Sequence, residues 1–367
     1  MKKNNYDVIG LMSGTSLDGV DLAHIEFRLI DAKWTFEILE SETIGYSQSW
    51  LSHLKAAVDY SETELEKLNQ EYTKLLATII STFIEKYKIE NLDAVCSHGH
   101  TILHQPQNGL TLQIGNLPEI ATLIQHTVVC DFRVQDVKLG GQGAPLVPIG
   151  DRILFSEYDY CMNLGGFSNV SFEQNGERIA FDISPVNTVL NYYANQLGLD
   201  YDDKGKISRT GKVNENLLNE LNELDFYQQK FPKSLGFEFV KEIVLPIIES
   251  FKIPTEDKLS TFTEHIALQT ALALDCFRHG GQVETRNGKK GRILITGGGA
   301  YNDFIIERIQ CYLPEMEIII PSAKILEFKE AVIFALLGVL KFREEINVLS
   351  SVTGAKNDHS SGIIYKP

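Results

Sequence analysis

The chain has 367 residues, 43% hydrophobic and 23% charged, which is enough apolar material for about two packed cores and excludes global disorder. Lys and Arg total 34 against 49 Asp and Glu, a net charge of −15. So acidic a chain repels a phosphate backbone, which excludes general nucleic-acid binding but not a small phosphorylated ligand held by a few local donors.

Val8 to Met12 is a short apolar run ending in a Gly/Ser turn, a buried strand. Asp21–Ile30 and Trp34–Ile44 read as two more strands joined by a short turn. Ser61-Glu62-Thr63-Glu64 is a capping box. Leu65, Leu68, Tyr72, Leu75, Leu76 and Ile79 follow it at helical spacing, so a helix is expected to about Tyr87. Ala94–Cys96 reads as a strand, Pro118 opens an amphipathic helix, and Thr127–Phe132 is a further strand. The second half repeats this order: strands at Tyr160–Leu164, Asn169–Glu173 and Arg178–Ile183, then helical stretches around Val189–Leu197 and Phe262–Phe277. Arg292–Thr296 is a strand running into Gly297-Gly298-Gly299, followed by a helix over Asp303–Ile309, a strand over Ile318–Ile320 and a largely buried helix over Glu327–Phe342. Two similar β-β-β-α-β units imply two related α/β domains with a cleft between them, the change of composition falling near Gly140-Gly141-Gln142-Gly143.

The first apolar piece is too short for a signal peptide, and the longest apolar run, Ala331–Leu340, is about half of the ~20 residues a membrane span needs. Cys96, Cys130, Cys161, Cys276 and Cys311 include no Cys-x-x-Cys pair, which argues against a disulfide framework. The expectation is a soluble cytoplasmic protein without membrane or nucleic-acid partners.

Three Gly-rich turns each follow an apolar strand. In Ser13-Gly14-Thr15-Ser16-Leu17-Asp18-Gly19-Val20-Asp21, small residues let backbone N–H groups approach an anion and hydroxyls add donors. Asp18 suits Mg²⁺, which takes one or two carboxylates and several waters. A plain hairpin turn is the competing reading, and the density of special residues favours function. Asn163-Leu164-Gly165-Gly166-Phe167-Ser168-Asn169 sits at the matching place in the second half, a candidate second phosphate clamp. Thr296-Gly297-Gly298-Gly299-Ala300 lets a ring or phosphate lie on the backbone at a helix start, or serves tight helix–sheet packing. Neither the Walker pattern nor Gly-x-Gly-x-x-Gly occurs, which argues against P-loop and dinucleotide folds.

Asp182, near the end of an apolar strand, is the candidate general base, with a cap for the next helix as the alternative. Glu330, before the apolar run Ala331–Leu340, is open between a capping and a catalytic role. His98 and His100 are expected to share one strand face. No local carboxylate or cysteine completes a metal set, so a polar wall contacting substrate is favoured over zinc. No Gly-x-Ser-x-Gly elbow supports a hydrolase.

Taken together, these residues resemble the anhydro-N-acetylmuramic acid kinases, a branch of the acetate-kinase/sugar-kinase/Hsp70/actin superfamily. The resemblance rests on Gly10-Leu11-Met12 with Ser13 to Asp21, Ser97-His98-Gly99-His100-Thr101, Asp131-Phe132-Arg133, the run from Gly140-Gly141-Gln142-Gly143 to Pro148, Asn163-Leu164-Gly165-Gly166 and Gly297-Gly298-Gly299-Ala300. It implies two ribonuclease-H-like domains, residues 1–135 with about 350–367 and residues 136–349, closing over ATP and an amino sugar. It implies ATP phosphates at Gly14–Asp21, adenosine near Gly297–Gly299, Mg²⁺ on the phosphates, Asp182 as catalytic base, and His98, Asn187 and Glu330 near the sugar. The implied reaction opens a 1,6-anhydro ring with water while the released O6 takes the γ-phosphoryl group, giving N-acetylmuramate 6-phosphate in cell-wall recycling. The chain departs from the family where Asp-Thr-Gly-Pro-Gly-Asn is usual, having Asp182-Ile183-Ser184-Pro185-Val186-Asn187. It departs again at Lys233-Ser234-Leu235-Gly236-Phe237-Glu238, where an Arg is usual. The alternatives are a kinase for another sugar on the same fold and a non-catalytic nucleotide-dependent binding protein, with a homodimer left open.

Overall fold

The computed structural model describes residues 2–14, 17–280 and 291–367. They form two compact units, Met1–Leu154 with Phe328–Pro367 and Phe155–Glu327. Each is built on one mixed sheet.

The first sheet contains β1 (Asn5–Ser13), β2 (Val20–Ile30), β3 (Lys33–Ile44), β4 (Ala94–Gln105), β5 (Leu110–Ile114) and β6 (Val128–Cys130). A C-terminal strand, Ile363–Tyr365, pairs antiparallel with β6. The order is Ile363–Tyr365, β6, β4, β1, β2, β3, with β5 on β4. β1 runs antiparallel to β2 and parallel to β4. Val8, Ile9 and Leu11 are all buried, as a strand covered on both faces requires. One face packs on the helix Glu62–Tyr87, whose Leu68, Tyr72, Leu76, Ile80 and Phe83 meet Ile9, Leu11, Leu22 and Val95. Its capping box is fully formed, with Ser61 and Glu64 bonding each other's main chain. The other face packs on the helix Ala323–Phe342 so closely that a Cβ on Gly10 would collide with the Ala331 carbonyl.

The second sheet contains β7 (Tyr160–Leu164), β8 (Phe167–Gln174), β9 (Glu177–Pro185), β10 (Arg292–Thr296) and β11 (Glu317–Ile319), in the order β11, β10, β7, β8, β9. Its core joins Met162, Leu164, Ile293 and Ile295 to Val189 and Tyr193 of the helix Asn187–Gln196 and to Leu259, Phe262 and Ile266 of the helix Thr255–Gly280. The two sheets share one pattern: three antiparallel strands, then parallel strands on the far side of the first. This is the ribonuclease-H-like arrangement expected twice over.

The expected boundary at 135/136 differs from the observed units. Residues 136–154 and 328–349 belong to the first unit. Side chains of the helix Val147–Leu154 meet the helix after Phe328 there: Lys329 Nζ lies 2.7 Å from Asp151 Oδ1, and a Cβ on Gly150 would strike Ile333. The helix expected from Glu327 begins at Ala323. Glu330 therefore sits inside it and caps nothing.

Candidate active site

The first glycine turn leaves the end of β1 at Ser13. Leu17 N donates to Gly14 O over 3.3 Å, and Leu17 has φ 62°. Thr15 and Ser16, both expected to contact ATP, lie outside the described residues. Asp18 is exposed. Gly19 approaches β3 closely, its Cβ position 2.6 Å from the Ile44 carbonyl oxygen. Val20 is fully buried on β2, and Asp21 Oδ1 accepts from Thr43 Oγ1 at 2.5 Å. Gly19, Val20 and Asp21 thus join the turn to the sheet. Ser13 Oγ turns inward, 2.8 Å from His100 Nδ1 and 2.6 Å from Tyr46 OH, rather than toward the turn.

His98 and His100 do not share a face. Gly99 has φ 73°, and the β1–β4 pairing shifts register between Leu11 and Ser13, so the alternation breaks. His100 faces Tyr72 of one helix, with ring centroids 5.9 Å apart, and His98 faces Phe334 of the other, at 4.6 Å. His98 Nδ1 lies 2.9 Å from Gly99 O, an acceptor only, so Nδ1 carries the hydrogen. Arg133 Nε donates to His98 Nε2 over 3.0 Å, and Arg133 Nη1 donates to Gly143 O. Burial and the Arg133 charge hold His98 well below the usual imidazole range. Both of its nitrogens are engaged, so it orients Arg133 rather than offering a nitrogen to a ligand. Burial pushes the Glu330 carboxyl up, against the pull of Arg133 and Lys329.

In the second unit the two remaining glycine turns come together. β7 and β10 are parallel, with Asn163 opposite Thr296, so Gly165-Gly166 and Gly297-Gly298-Gly299 leave adjacent strand ends. Gly297 has φ 85°, and its Cβ position lies 2.5 Å from Asn163 Oδ1, which leaves no room for a side chain. A Cβ on Gly299 would sit 2.8 Å from that of Leu164, whereas one on Gly298 would meet only Asn187 Nδ2, at 3.7 Å. Asn187 N donates to Gly165 O and its side chain to Leu164 O. Asn187, expected near the sugar, therefore stands among the turns expected to take ATP.

Asp182 lies within β9, opposite Asn169. It is not a cap, since Val186 holds the N-cap position of the helix Asn187–Gln196. Its main-chain N–H donates to Lys233 O, and its Oδ2 accepts from Leu235 N over 2.8 Å. Burial raises its pKa from 3.8 to about 6, with the Leu235 N–H pulling it down. A carboxylate poised there can take a proton near neutral pH. Sequence reading missed the Leu235 contact, because a main-chain donor leaves no mark in residue type. The two departures beside Asp182 are internal. Ser184 is buried, its Oγ 3.0 Å from Ser168 Oγ, and Val186 is fully buried with its N–H donating to Gly166 O. Among the described residues no group of three or more His, Cys, Asp or Glu converges on a metal position.

Residues 6–367 match the family model described as "Anhydro-N-acetylmuramic acid kinase". A relative of that name from Mannheimia succiniciproducens is 33% identical, covering 100% of both chains. Another, from Francisella tularensis subsp. novicida, is 32% identical over 95% of this chain and 96% of its own. Among solved structures, the activator of the 2-hydroxyisocaproyl-CoA dehydratase from Clostridium difficile with bound ADPNP aligns with a TM-score of 0.43 and 17% identity, covering 92% of this chain and 96% of that one. The chain belongs to the anhydro-N-acetylmuramic acid kinase family.

Proposed function

We infer that this member of the anhydro-N-acetylmuramic acid kinase family is an ATP-dependent phosphotransferase acting on a sugar hydroxyl. Its substrate is 1,6-anhydro-N-acetylmuramic acid and its products are N-acetylmuramate 6-phosphate and ADP, in the recycling of cell-wall sugar in the cytoplasm. The observation that carries the reading is the match of residues 6–367 to one family model.

Asp182 is the general base. Its carboxylate takes one proton from water as the oxygen attacks C1 of the anhydro sugar. The C1–O6 bond breaks, and O6 keeps the electron pair. O6 then attacks the γ-phosphorus of ATP, a P–O bond to ADP breaks, and the proton on Asp182 passes to solvent. One carboxylate thus serves a glycosidase-like step, and phosphoryl transfer consumes the leaving oxygen in place of a general acid. Leu235 N–H holds the Asp182 carboxyl in one orientation, which leaves Oδ1 to face the water.

The main-chain N–H groups of the turn from Gly14 take ATP phosphates, and the paired turns at Gly165-Gly166 and Gly297–Gly299 take the nucleoside and its phosphates. Mg²⁺ fits this chain as an ion held by phosphates, water and the exposed Asp18, since no richer ligand set is present among the described residues. When bound it supplies charge neutralisation at the phosphates. The test is ADP release with 1,6-anhydro-N-acetylmuramic acid, measured against a panel of anhydro and reducing amino sugars. Turnover on a reducing sugar but not on the anhydro sugar would replace this reading with that of another sugar kinase.

A further inference from the structure

Ser13 is the last residue of β1, immediately before the first glycine turn. Its Oγ lies 2.6 Å from Tyr46 OH, 3.1 Å from Tyr72 OH and 2.8 Å from His100 Nδ1. The two tyrosine oxygens are 2.5 Å apart. The four side chains come from β1, the segment after β3, the helix Glu62–Tyr87 and β4. Ser13, Tyr72 and His100 are buried.

Counting protons assigns every bond. The three hydroxyls form a triangle with three edges and own three protons. Tyr72 donating to Ser13, Ser13 to Tyr46 and Tyr46 to Tyr72 uses all three. The contact between Ser13 and His100 then needs its own proton, and only an Nδ1–H can supply it. Were the proton on Nε2, Ser13 would have to donate to Nδ1, and one short oxygen–oxygen contact would lack a hydrogen. Burial pulls His100 down to about 4, so near pH 7 the ring is neutral and carries a single proton.

We propose that His100, held as the Nδ1–H tautomer, is a positioning residue for nucleotide binding: it pins the Ser13 hydroxyl and so fixes the strand end from which the Gly14–Asp18 turn departs. The proposal rests on the reading of that turn as a phosphate-binding element. Ser13 Oγ donates once and accepts twice within the network, so it keeps no hydrogen for a phosphate oxygen. The hydroxyl contributes by anchoring, not by contact. A strand end already fixed in place leaves less conformational freedom for binding to remove, and that saving appears as affinity.

Two measurements test this. Long-range proton–nitrogen spectra of the imidazoles, with His100 assigned by its loss in His100→Asn, should show Nδ1 protonated and Nε2 bare. In steady-state kinetics, His100→Leu should raise KM for ATP roughly tenfold, the worth of a buried acceptor left without its donor. Its kcat and its KM for the sugar should stay near wild type. His100→Asn places an amide N–H where the ring Nδ1–H was and should restore most of the ATP KM. Tyr46→Phe breaks the triangle at its most accessible corner and should raise the ATP KM in the same direction, which keeps the test available if His100→Leu does not fold. An Nε2–H spectrum, a folded His100→Leu with wild-type ATP KM, or an Asn variant no better than Leu would overturn the proposal. If Gly14→Val leaves ATP affinity unchanged, the turn itself is misread. That outcome overturns the nucleotide role while the tautomer is still decided by the spectrum.

Discussion

Replacing Asp182 by Asn should inactivate the protein and stabilise it at the same time. Folding lifts the carboxyl from 3.8 to about 6, chiefly by burial. At about 1.4 kcal/mol per pH unit, keeping it ionised in the folded protein costs about 3 kcal/mol above pH 6. The sign follows from proton uptake. Between the two values the folded state binds more protons than the unfolded one, so this group's contribution is fully present below pH 3.8 and is lost as pH rises through about 6. The amide of the variant carries no charge at any pH, and its Oδ1 can still accept from Leu235 N. At pH 8 the variant should therefore be more stable than wild type by up to about 3 kcal/mol, roughly 6–12 °C in melting midpoint for a domain of this size. By pH 5 the gap should fall to about half. Melting curves of both proteins from pH 5 to pH 8 read this directly. Turnover should drop at least ~100-fold, the low end for removing a general base. The wild-type kcat/KM should fall below about pH 6 as Asp182 takes up a proton. A variant that is inactive but no more stable than wild type at pH 8, with no narrowing toward pH 5, would refute the buried-carboxylate argument. A folded variant with near-normal turnover would remove Asp182 from the mechanism.

Gly14→Val should weaken ATP binding while leaving sugar binding intact, because a side chain there blocks the backbone from the phosphates; titration calorimetry with each ligand separates the two. Asp18→Asn should raise the Mg²⁺ concentration needed for half-maximal turnover; an unchanged Mg²⁺ titration would remove Asp18 from the metal. Val186→Gly should cost about 2–3 kcal/mol of stability, since Val186 is fully buried and its removal leaves a cavity. It should leave the choice of sugar unchanged, and a shift in preference across a panel of anhydro sugars would show that this side chain reaches the substrate instead.

What is local in this protein was legible from residue order alone. Apolar runs bounded by glycine turns located β1, β7 and β10, and the Ser61–Glu64 box located the helix start at Glu62. The repeat of three strands, helix and strand pointed to the two-sheet plan, because strand periodicity and capping depend on near neighbours. The glycine turns were legible for the same reason: a missing Cβ is written in the residue type. Whatever depends on a distant partner came from the packed fold. The strands Leu110–Ile114 and Ile363–Tyr365 are short and exist by pairing with β4 and β6. The bulge at Gly99 sends His98 and His100 to opposite faces, where plain alternation places them together. Glu330 lies inside a helix that starts at Ala323, about one turn before the expected Glu327. The carboxyl of Asp182 owes its raised pKa to burial by the whole unit and its orientation to the N–H of Leu235, a donor that every residue but proline possesses. Side-chain identity records where a chain turns and which face is apolar. Which main-chain groups meet a carboxylate, and how much water is kept from it, follow only once the sheets are packed.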